Sequence, residues 1–272
     1  MATGGKREPS NLLYEPAFMQ NQNAVFQHLD LERVAILLDV DGTLLDIAPT
    51  PGGVHVPPSL IQTLTRLRQR TGGALAFVSG RTLEELDDFF APLKLFAIGG
   101  HGAELRDSTG GDGQGLRAMP LDDRLRERLI NIVKVAPGVL IEDKGYAIAL
   151  HFRLATDLER TLQKEVAAIC AEFAPVGTII LRGKAVIEIK SADFNKGAAL
   201  RELMGNAPFI GRQPVFVGDD ITDNDVFAAL PEFGGIGFSV GHAVMGTAGA
   251  FDSPHDVRVW LGRLSGSREV QA

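Results

Sequence analysis

Five aliphatic residues, Val34-Ala35-Ile36-Leu37-Leu38, run directly into Asp39-Val40-Asp41-Gly42-Thr43, and this junction constrains the chain more than any other. A run without polar alternation fits a strand buried on both faces, as in a parallel sheet. Gly42 ends the run, so two carboxylates two residues apart emerge together at the strand's carboxyl end. In open α/β sheets that end is where ligands bind. Two acids so close repel unless a cation, a hydrogen-bond donor or a shared proton relieves them. The arrangement suits a Mg²⁺-dependent site where one carboxylate attacks and the other handles protons. Taken alone, the pentad is also compatible with an Asp-Gly turn carrying an extra surface Asp.

Three further polar clusters each follow or open a regular segment. Ala74-Leu75-Ala76-Phe77-Val78 ends in Ser79-Gly80-Arg81, and Lys196-Gly197 opens a helical stretch at Ala198-Ala199-Leu200. Pro214-Val215-Phe216-Val217 ends in Gly218-Asp219-Asp220-Ile221-Thr222-Asp223. Paired acids, a hydroxyl, a lysine and an acidic Gly-Asp cluster, in that order, resemble the haloacid dehalogenase superfamily of aspartate-nucleophile phosphohydrolases. Any one piece is weak; the ordered set is specific.

The composition sets bounds on this reading. At 272 residues the chain is long enough for one or two domains and a sizeable core. Apolar content of 45% and charged content of 22% describe an ordinary globular protein. With 34 acids against 27 bases, the formal charge of -7 argues against a nucleic-acid surface. A phosphorylated substrate must then be held by locally placed cations. Cys170 is the single cysteine and falls on an apolar helical position, which predicts a buried thiol. No run of about 18 apolar residues and no hydrophobic signal core are present, so a cytoplasmic protein without membrane association is expected.

Residues 1 to about 30 are polar and mixed and read as a flexible N-terminal tail. From Val34 to about Arg106, strands near 34–38, 74–78 and 94–98 alternate with helices near 58–70 and 82–90. That rhythm predicts right-handed βαβ units around a doubly wound parallel sheet. The turn-rich stretch 107–115 marks a hairpin tip or linker. A different rhythm follows: a helix from Asp122 to about Val135, strands at 139–141 and 147–152, a helix from Asp157 to Phe173, and strands at 178–181 and 185–189. Strand pairs with accompanying helices form an α+β unit. The expected fold class is α/β, with a core at 31–118 and 191–272 and an inserted α+β cap at 119–190. The α/β rhythm resumes near Phe194 and runs to a helix at 256–264.

The resemblance implies roles for the core motifs. Asp39 attacks phosphorus and becomes a phosphoaspartate; Asp41 protonates the departing oxygen and then deprotonates the water that cleaves the intermediate. Ser79 and Lys196 hold the phosphate, and Lys196 also keeps Asp39 ionised. Thr43, Gly80 and Arg81 complete the substrate cradle. Mg²⁺ takes Asp39, the Asp41 carbonyl and Asp219, with Asp223 orienting its waters. If a helix starts at the Gly-Asp cluster, Asp219 and Asp223 share a face; acidic capping of that helix would use the same residues.

The match narrows with Gly100-His101-Gly102-Ala103-Glu104, Glu142-Asp143-Lys144-Gly145, His151-Phe152-Arg153 and Gly183-Lys184-Ala185-Val186-Ile187-Glu188-Ile189-Lys190. Together with the Gly-Asp cluster, these resemble the set found in trehalose-6-phosphate phosphatases, over about Val34 to Leu264. One departure is Asn224, where family members usually carry Glu. Alternation places Lys184, Val186 and Glu188 on one strand face, and His151 and Arg153 on another. With Glu142 they offer donors and acceptors for a hydroxyl-covered disaccharide; a solvated face of weak salt bridges is the competing reading. His101 and Gly102 are assigned to sugar contact, though a Gly-flanked histidine also fits a structural role.

The resemblance thus implies Mg²⁺-dependent hydrolysis of trehalose 6-phosphate to trehalose and phosphate. Sucrose phosphate, another sugar phosphate or a mutase reaction would use the same core. A non-catalytic phosphosugar-binding module is disfavoured by the intact Asp39 and Asp41 pair, since a sensor needs no proton shuttle. A trehalose-6-phosphate synthase, if associated, is expected to be a separate chain.

Overall fold

A computed structural model describes residues 29–48, 53–107, 114–116, 118–132, 134, 136–173, 177–183 and 185–266. The expected tail at 1–30 and the Gly-rich tip therefore lie largely outside the described residues, and Lys184 lies wholly outside them.

The chain begins with β1 (Val34–Leu38), α1 (Pro58–Arg70), β2 (Leu75–Val78), α2 (Leu83–Phe90) and β3 (Phe96–Gly99). The short strands β4 (Glu104–Arg106) and β5 (Gln114–Leu116) follow as an antiparallel pair around the turn-rich stretch. Next come α3 (Asp123–Ile132), β6 (Leu140–Asp143), β7 (Ala147–His151), α4 (Glu159–Glu172), β8 (Thr178–Gly183) and β9 (Val186–Ser191). The chain then runs through α5 (Lys196–Met204), β10 (Gln213–Gly218), α6 (Asn224–Ala229), β11 (Ile236–Val240), β12 (Gly249–Phe251) and α7 (Pro254–Leu264).

These elements make two sheets. The larger has the order β12-β11-β10-β1-β2-β3-β4-β5, parallel from β12 to β3 and antiparallel beyond. Strand β1 is buried at every position, as its uninterrupted apolar run requires. Val34, Ile36 and Leu38 pack with α1, α2 and α7, while Ala35 and Leu37 pack with α5 and α6. The sheet is thus covered on both faces. Sequence neighbours β2 and β3 extend it to one side of β1, whereas β10, β11 and β12 extend it to the other. The chain order reverses between β1 and β10, which opens a crevice at their carboxyl ends. Asp39 and Asp219 leave the sheet at that crevice.

The smaller sheet, β6-β7-β9-β8, is antiparallel throughout. It forms the cap. Ile148, Leu150, Ile187 and Ile189 face α3 and α4, burying Leu125, Leu129, Leu162 and Val166. Alternation turns Glu142, Ala149, His151, Val186 and Glu188 to the opposite face. Glu142 pairs in register with Ala149, and Ala149 with Glu188, so the two carboxylates flank a small residue on one cross-strand line. Cys170 is buried in the helical layer, as its position predicts.

The chain passes from core to cap before α3 and returns after β9. Ala118 on the way in and Phe194 on the way out belong to one small cluster with Ala103, Tyr146 and Ala147. Among the described residues, no helix is long and apolar enough to cross a membrane.

Candidate active site

The loop after β1 turns sharply: the Leu44 amide donates to the Val40 carbonyl at 2.9 Å and the Gly42 amide to the Leu45 carbonyl at 2.8 Å. Gly42 has φ +84°, and a Cβ there would lie 2.1 Å from Asp219 Oδ2. Only glycine lets this loop carry the left-handed turn and admit the neighbouring carboxylate. Arg258 of α7 donates to the Leu44 carbonyl at 2.8 Å, pinning the same loop from behind.

Lys196 is the first residue of α5, whose N-cap Asn195 accepts from the Ala198 amide at 2.8 Å. A positive charge at a helix start is unfavourable for the helix dipole. Here two carboxylates offset it: Lys196 Nζ lies 2.9 Å from Asp39 Oδ1 and 2.7 Å from Asp223 Oδ1. Burial pulls the ammonium's pKa down, but Asp223 and Asp39 outweigh it and the net shift is upward. Burial drives the Asp39 carboxyl well above the usual carboxylate range; Lys196 opposes this, while Asp223 and Asp219 add repulsion. Asp39, Asp219 and Asp223 each offer an oxygen within 4.8 Å of the others, a hard-oxygen set that could hold a metal ion.

Helix α6 starts at Asn224, not at the Gly-Asp cluster, so Asp219 and Asp223 do not share a helical face. Asp220 is extended and caps a short 3-10 turn over Ile221–Asp223. Asp223 Oδ2 accepts from the Asp220 amide at 3.0 Å while Oδ1 meets Lys196. Both oxygens are engaged, and the capping role holds beside the electrostatic one. Asn224 is exposed.

The Ser79-Gly80-Arg81 loop links β2 to α2, whose capping box is complete: Glu85 N donates to Thr82 Oγ1 at 3.2 Å, and Thr82 N to Glu85 Oε2 at 2.8 Å. Ser79 is buried and its Oγ accepts from the Arg81 amide at 3.2 Å, leaving the hydroxyl proton to donate. Arg81, on the cavity wall, forks onto Asp41, with Nε and Nη2 each 2.6 Å from a separate Asp41 oxygen. Its plane also lies 4.4 Å from the Phe89 ring centroid. This fork was not legible as such in the sequence, where Arg81 reads as a substrate ligand.

The cap closes the crevice. A cavity of about 230 Å³ is lined by Asp39, Asp41, Ser79, Arg81, His101, Glu142, Arg153, Glu188, Lys196 and Asp219, together with Gly80, Lys144, His151 and Thr222. Ile47, Ala48, Val54 and Val186 add apolar wall. His101 has φ +55° and stands between core and cap, its Nε2 3.3 Å from Glu188 Oε2. His151 Nε2 pairs with Glu142 Oε2 at 2.9 Å. Burial raises the Glu188 carboxyl, but Lys144 and His101 outweigh it and hold the pKa at about 2. Three buried polar atoms on this wall, His101 Nδ1, Glu188 Oε1 and Thr222 Oγ1, have no hydrogen-bond partner. Such atoms are uncommon in native proteins and point to a ligand.

Three sequence-derived candidates do not reach the cavity wall. Thr43 is fully buried and its hydroxyl donates to Asp219 Oδ1 at 3.3 Å. Gly102 is buried against the Asn195 backbone, and Asp223 is buried behind Lys196. Conversely, Lys144 and Thr222 stand on the wall but were singled out only as parts of longer motifs. Lys144 meets the Gly80 carbonyl, remote in the chain, and no local periodicity signals either residue.

The trehalose-phosphatase family model matches residues 37–251. The chain belongs to the trehalose-phosphatase family. A "Probable trehalose-phosphate phosphatase" of Sinorhizobium fredii is 42% identical over 217 residues, covering 79% of this chain and 80% of that relative. The Escherichia coli "Trehalose-6-phosphate phosphatase" is 36% identical over 236 residues, covering 84% of this chain and 85% of that one. Among solved structures, the C-terminal domain of C. albicans trehalose-6-phosphate phosphatase superposes with a TM-score of 0.75 at 22% identity, covering 94% of this chain and 98% of that one. At that identity the likeness bears on the fold, which is the α/β core with an inserted cap.

Proposed function

We propose that this chain hydrolyses trehalose 6-phosphate to trehalose and phosphate through a phosphoaspartate on Asp39. The observation that carries the reading is the cavity itself. One wall holds Asp39, Asp41 and Lys196, and the facing wall holds Glu142, Arg153 and Glu188 with polar atoms still unsatisfied. A phosphate on one side and a hydroxyl-rich sugar on the other would satisfy both.

Lys196 occupies Asp39 Oδ1, which leaves Oδ2 as the attacking oxygen. Asp41 donates a proton to the departing sugar oxygen, then accepts one from the water that attacks the acyl phosphate. Arg81 engages both Asp41 oxygens in the present arrangement, so one of those hydrogen bonds must be exchanged for the sugar oxygen. The Ser79 hydroxyl and Lys196 ammonium donate to phosphoryl oxygens, since phosphoryl transfer depends mainly on positioning and charge neutralisation. Asp39, Asp219 and the Asp41 carbonyl would hold Mg²⁺, and Asp223, with both oxygens engaged, would orient its water ligands. When bound, the ion neutralises phosphoryl charge and lowers the repulsion between the nucleophile and the phosphate.

The test is phosphate release with Mg²⁺ from trehalose 6-phosphate, glucose 6-phosphate and sucrose 6-phosphate. Preference for trehalose 6-phosphate supports the reading; equal rates on all three would leave a general sugar phosphatase. No release from any of them would refute hydrolysis.

A further inference from the structure

We propose that Lys144 is a positioning residue that couples occupancy of the sugar half of the cavity to the geometry of Ser79. The inference rests on the phosphatase reading above. Lys144 stands in the turn between β6 and β7, on the cap, and its side chain is 7% exposed. Its Nζ donates to the Gly80 carbonyl at 3.0 Å, lies 3.4 Å from Glu142 Oε1, and lies 3.9 Å from Glu188 Oε1. One ammonium therefore bonds the backbone of a core loop while lying within 4 Å of both carboxylates of the cap's polar face. Burial alone disfavours the charged lysine; Glu188 and Glu142 outweigh it and shift the pKa upward.

The carbonyl that Lys144 holds belongs to the peptide unit joining Gly80 and Arg81. The N–H at the other end of that unit donates to Ser79 Oγ at 3.2 Å. Because a peptide unit is planar, fixing its oxygen fixes the direction of its N–H. Gly80 cannot brace the plane with a side chain: a Cβ there would lie 2.4 Å from the His101 ring. Glycine is also the residue whose backbone rotates most freely. Lys144 supplies the missing brace, but only while the cap is down. Sugar hydroxyls bridging Glu142 and Glu188 would hold the cap down, and the Gly80 peptide would then orient the Ser79 hydroxyl toward phosphate. Binding energy from the remote sugar is thereby expressed at the reacting group.

The experiment compares wild type, Lys144→Met and Lys144→Arg on trehalose 6-phosphate and on para-nitrophenyl phosphate. Lys144→Met keeps the length of the side chain and removes the donor. Its kcat on trehalose 6-phosphate is expected to fall about 30- to 100-fold, the scale of a small misplacement of a catalytic group, with KM changed less than about 5-fold. Lys144→Arg, which can still donate to a carbonyl, should recover most of that loss. A raised KM with intact kcat would make Lys144 an ordinary sugar contact and overturn the proposal, as would wild-type kinetics in Lys144→Met. If Lys144→Met does not fold, hydrogen exchange on the wild type decides. Adding trehalose alone should slow exchange at the Arg81 amide, and no change there would overturn the coupling. Wild type that cleaves para-nitrophenyl phosphate but not trehalose 6-phosphate would instead refute the substrate reading, and this proposal with it.

Discussion

Core and cap meet at one cavity but hold their charges in opposite ways. In the core, Lys196, Asp39 and Asp223 are buried, and the lysine ammonium lies 2.9 Å from Asp39 and 2.7 Å from Asp223. Buried ion pairs contribute little net stability, because desolvation consumes the Coulomb gain. What they contribute is a set of charges that need not reorganise during reaction. In the cap, Glu142, Lys144 and Glu188 share one face with His151, and Glu188 Oε1 still lacks a hydrogen bond. In the chemical half Lys196 is paired with two carboxylates before substrate arrives; the recognition half is completed by the sugar. The two should therefore fail differently.

The largest expected effect is on the core. Asp39→Asn should lower turnover by at least about 10⁴-fold on every phosphate ester, because the nucleophile itself is removed. Circular dichroism should show the fold retained. Asp41→Asn should still accept phosphate slowly from an activated aryl ester and then stall, with a phosphoenzyme that persists on acid quench. Equal loss on both substrates without trapped phosphate would break the division of labour. Chelation should likewise remove activity on all esters, and Mg²⁺ should restore it; full rate in excess chelator would remove the cation from the core.

Changes in the cap should be smaller and selective. Glu188→Ala or Arg153→Ala should cost about 100-fold on trehalose 6-phosphate, since sugar hydroxyls would face unpaired or missing partners. On para-nitrophenyl phosphate the cost should stay within a few-fold. Loss of both activities in parallel would mean that the cap face serves the fold and not the sugar.

Acid should weaken the cap's carboxylate contacts as pH falls toward about 2. Glu188 titrates near 2 in the folded protein against an ordinary 4.5. The folded state therefore binds fewer protons than the unfolded chain between those values. The stabilisation is complete above about pH 4.5 and is lost as pH falls toward about 2. Glu142 is shifted in the same direction, burial raising it and His151 and Lys144 outweighing that. The Tm of wild type should fall more steeply than that of Glu188→Gln below about pH 4.5; parallel curves would show that Lys144 and His101 do not hold the carboxylate. The smallest effect belongs to Asn224→Glu: this side chain is exposed, and kcat/KM should change less than about 3-fold, in line with surface substitutions.

The same contrast explains what was legible in the sequence. The core motifs are contiguous, three following a buried strand and the Lys196 motif opening a helix, so β1, β2 and β10 and the residues leaving them could be read directly. The cap's strand pairs and helices were also visible, because Ile187 and Ile189 alternate with Val186 and Glu188 against a helical layer. Pairings across distance were not. Lys144 reaches a carbonyl 64 residues away and Arg81 a carboxylate 40 residues away. No spacing rule announces either. A helix starting at the Gly-Asp cluster would have put Asp219 and Asp223 on one face; instead Asp220 is extended and the helix starts at Asn224.

The chain enters and leaves the cap through a single patch, where Ala118 and Phe194 pack with Ala103, Tyr146 and Ala147. An insertion with neighbouring ends can be exchanged without re-threading the sheet that carries it. A foreign cap grafted between those two positions would inherit the core's own groups, Asp39, Asp41, Lys196 and Asp219, and, if it supplied a donor to the Gly80 carbonyl, bring its own choice of leaving group. Diversification by transplant, rather than residue by residue, is the evolutionary freedom that this junction leaves open.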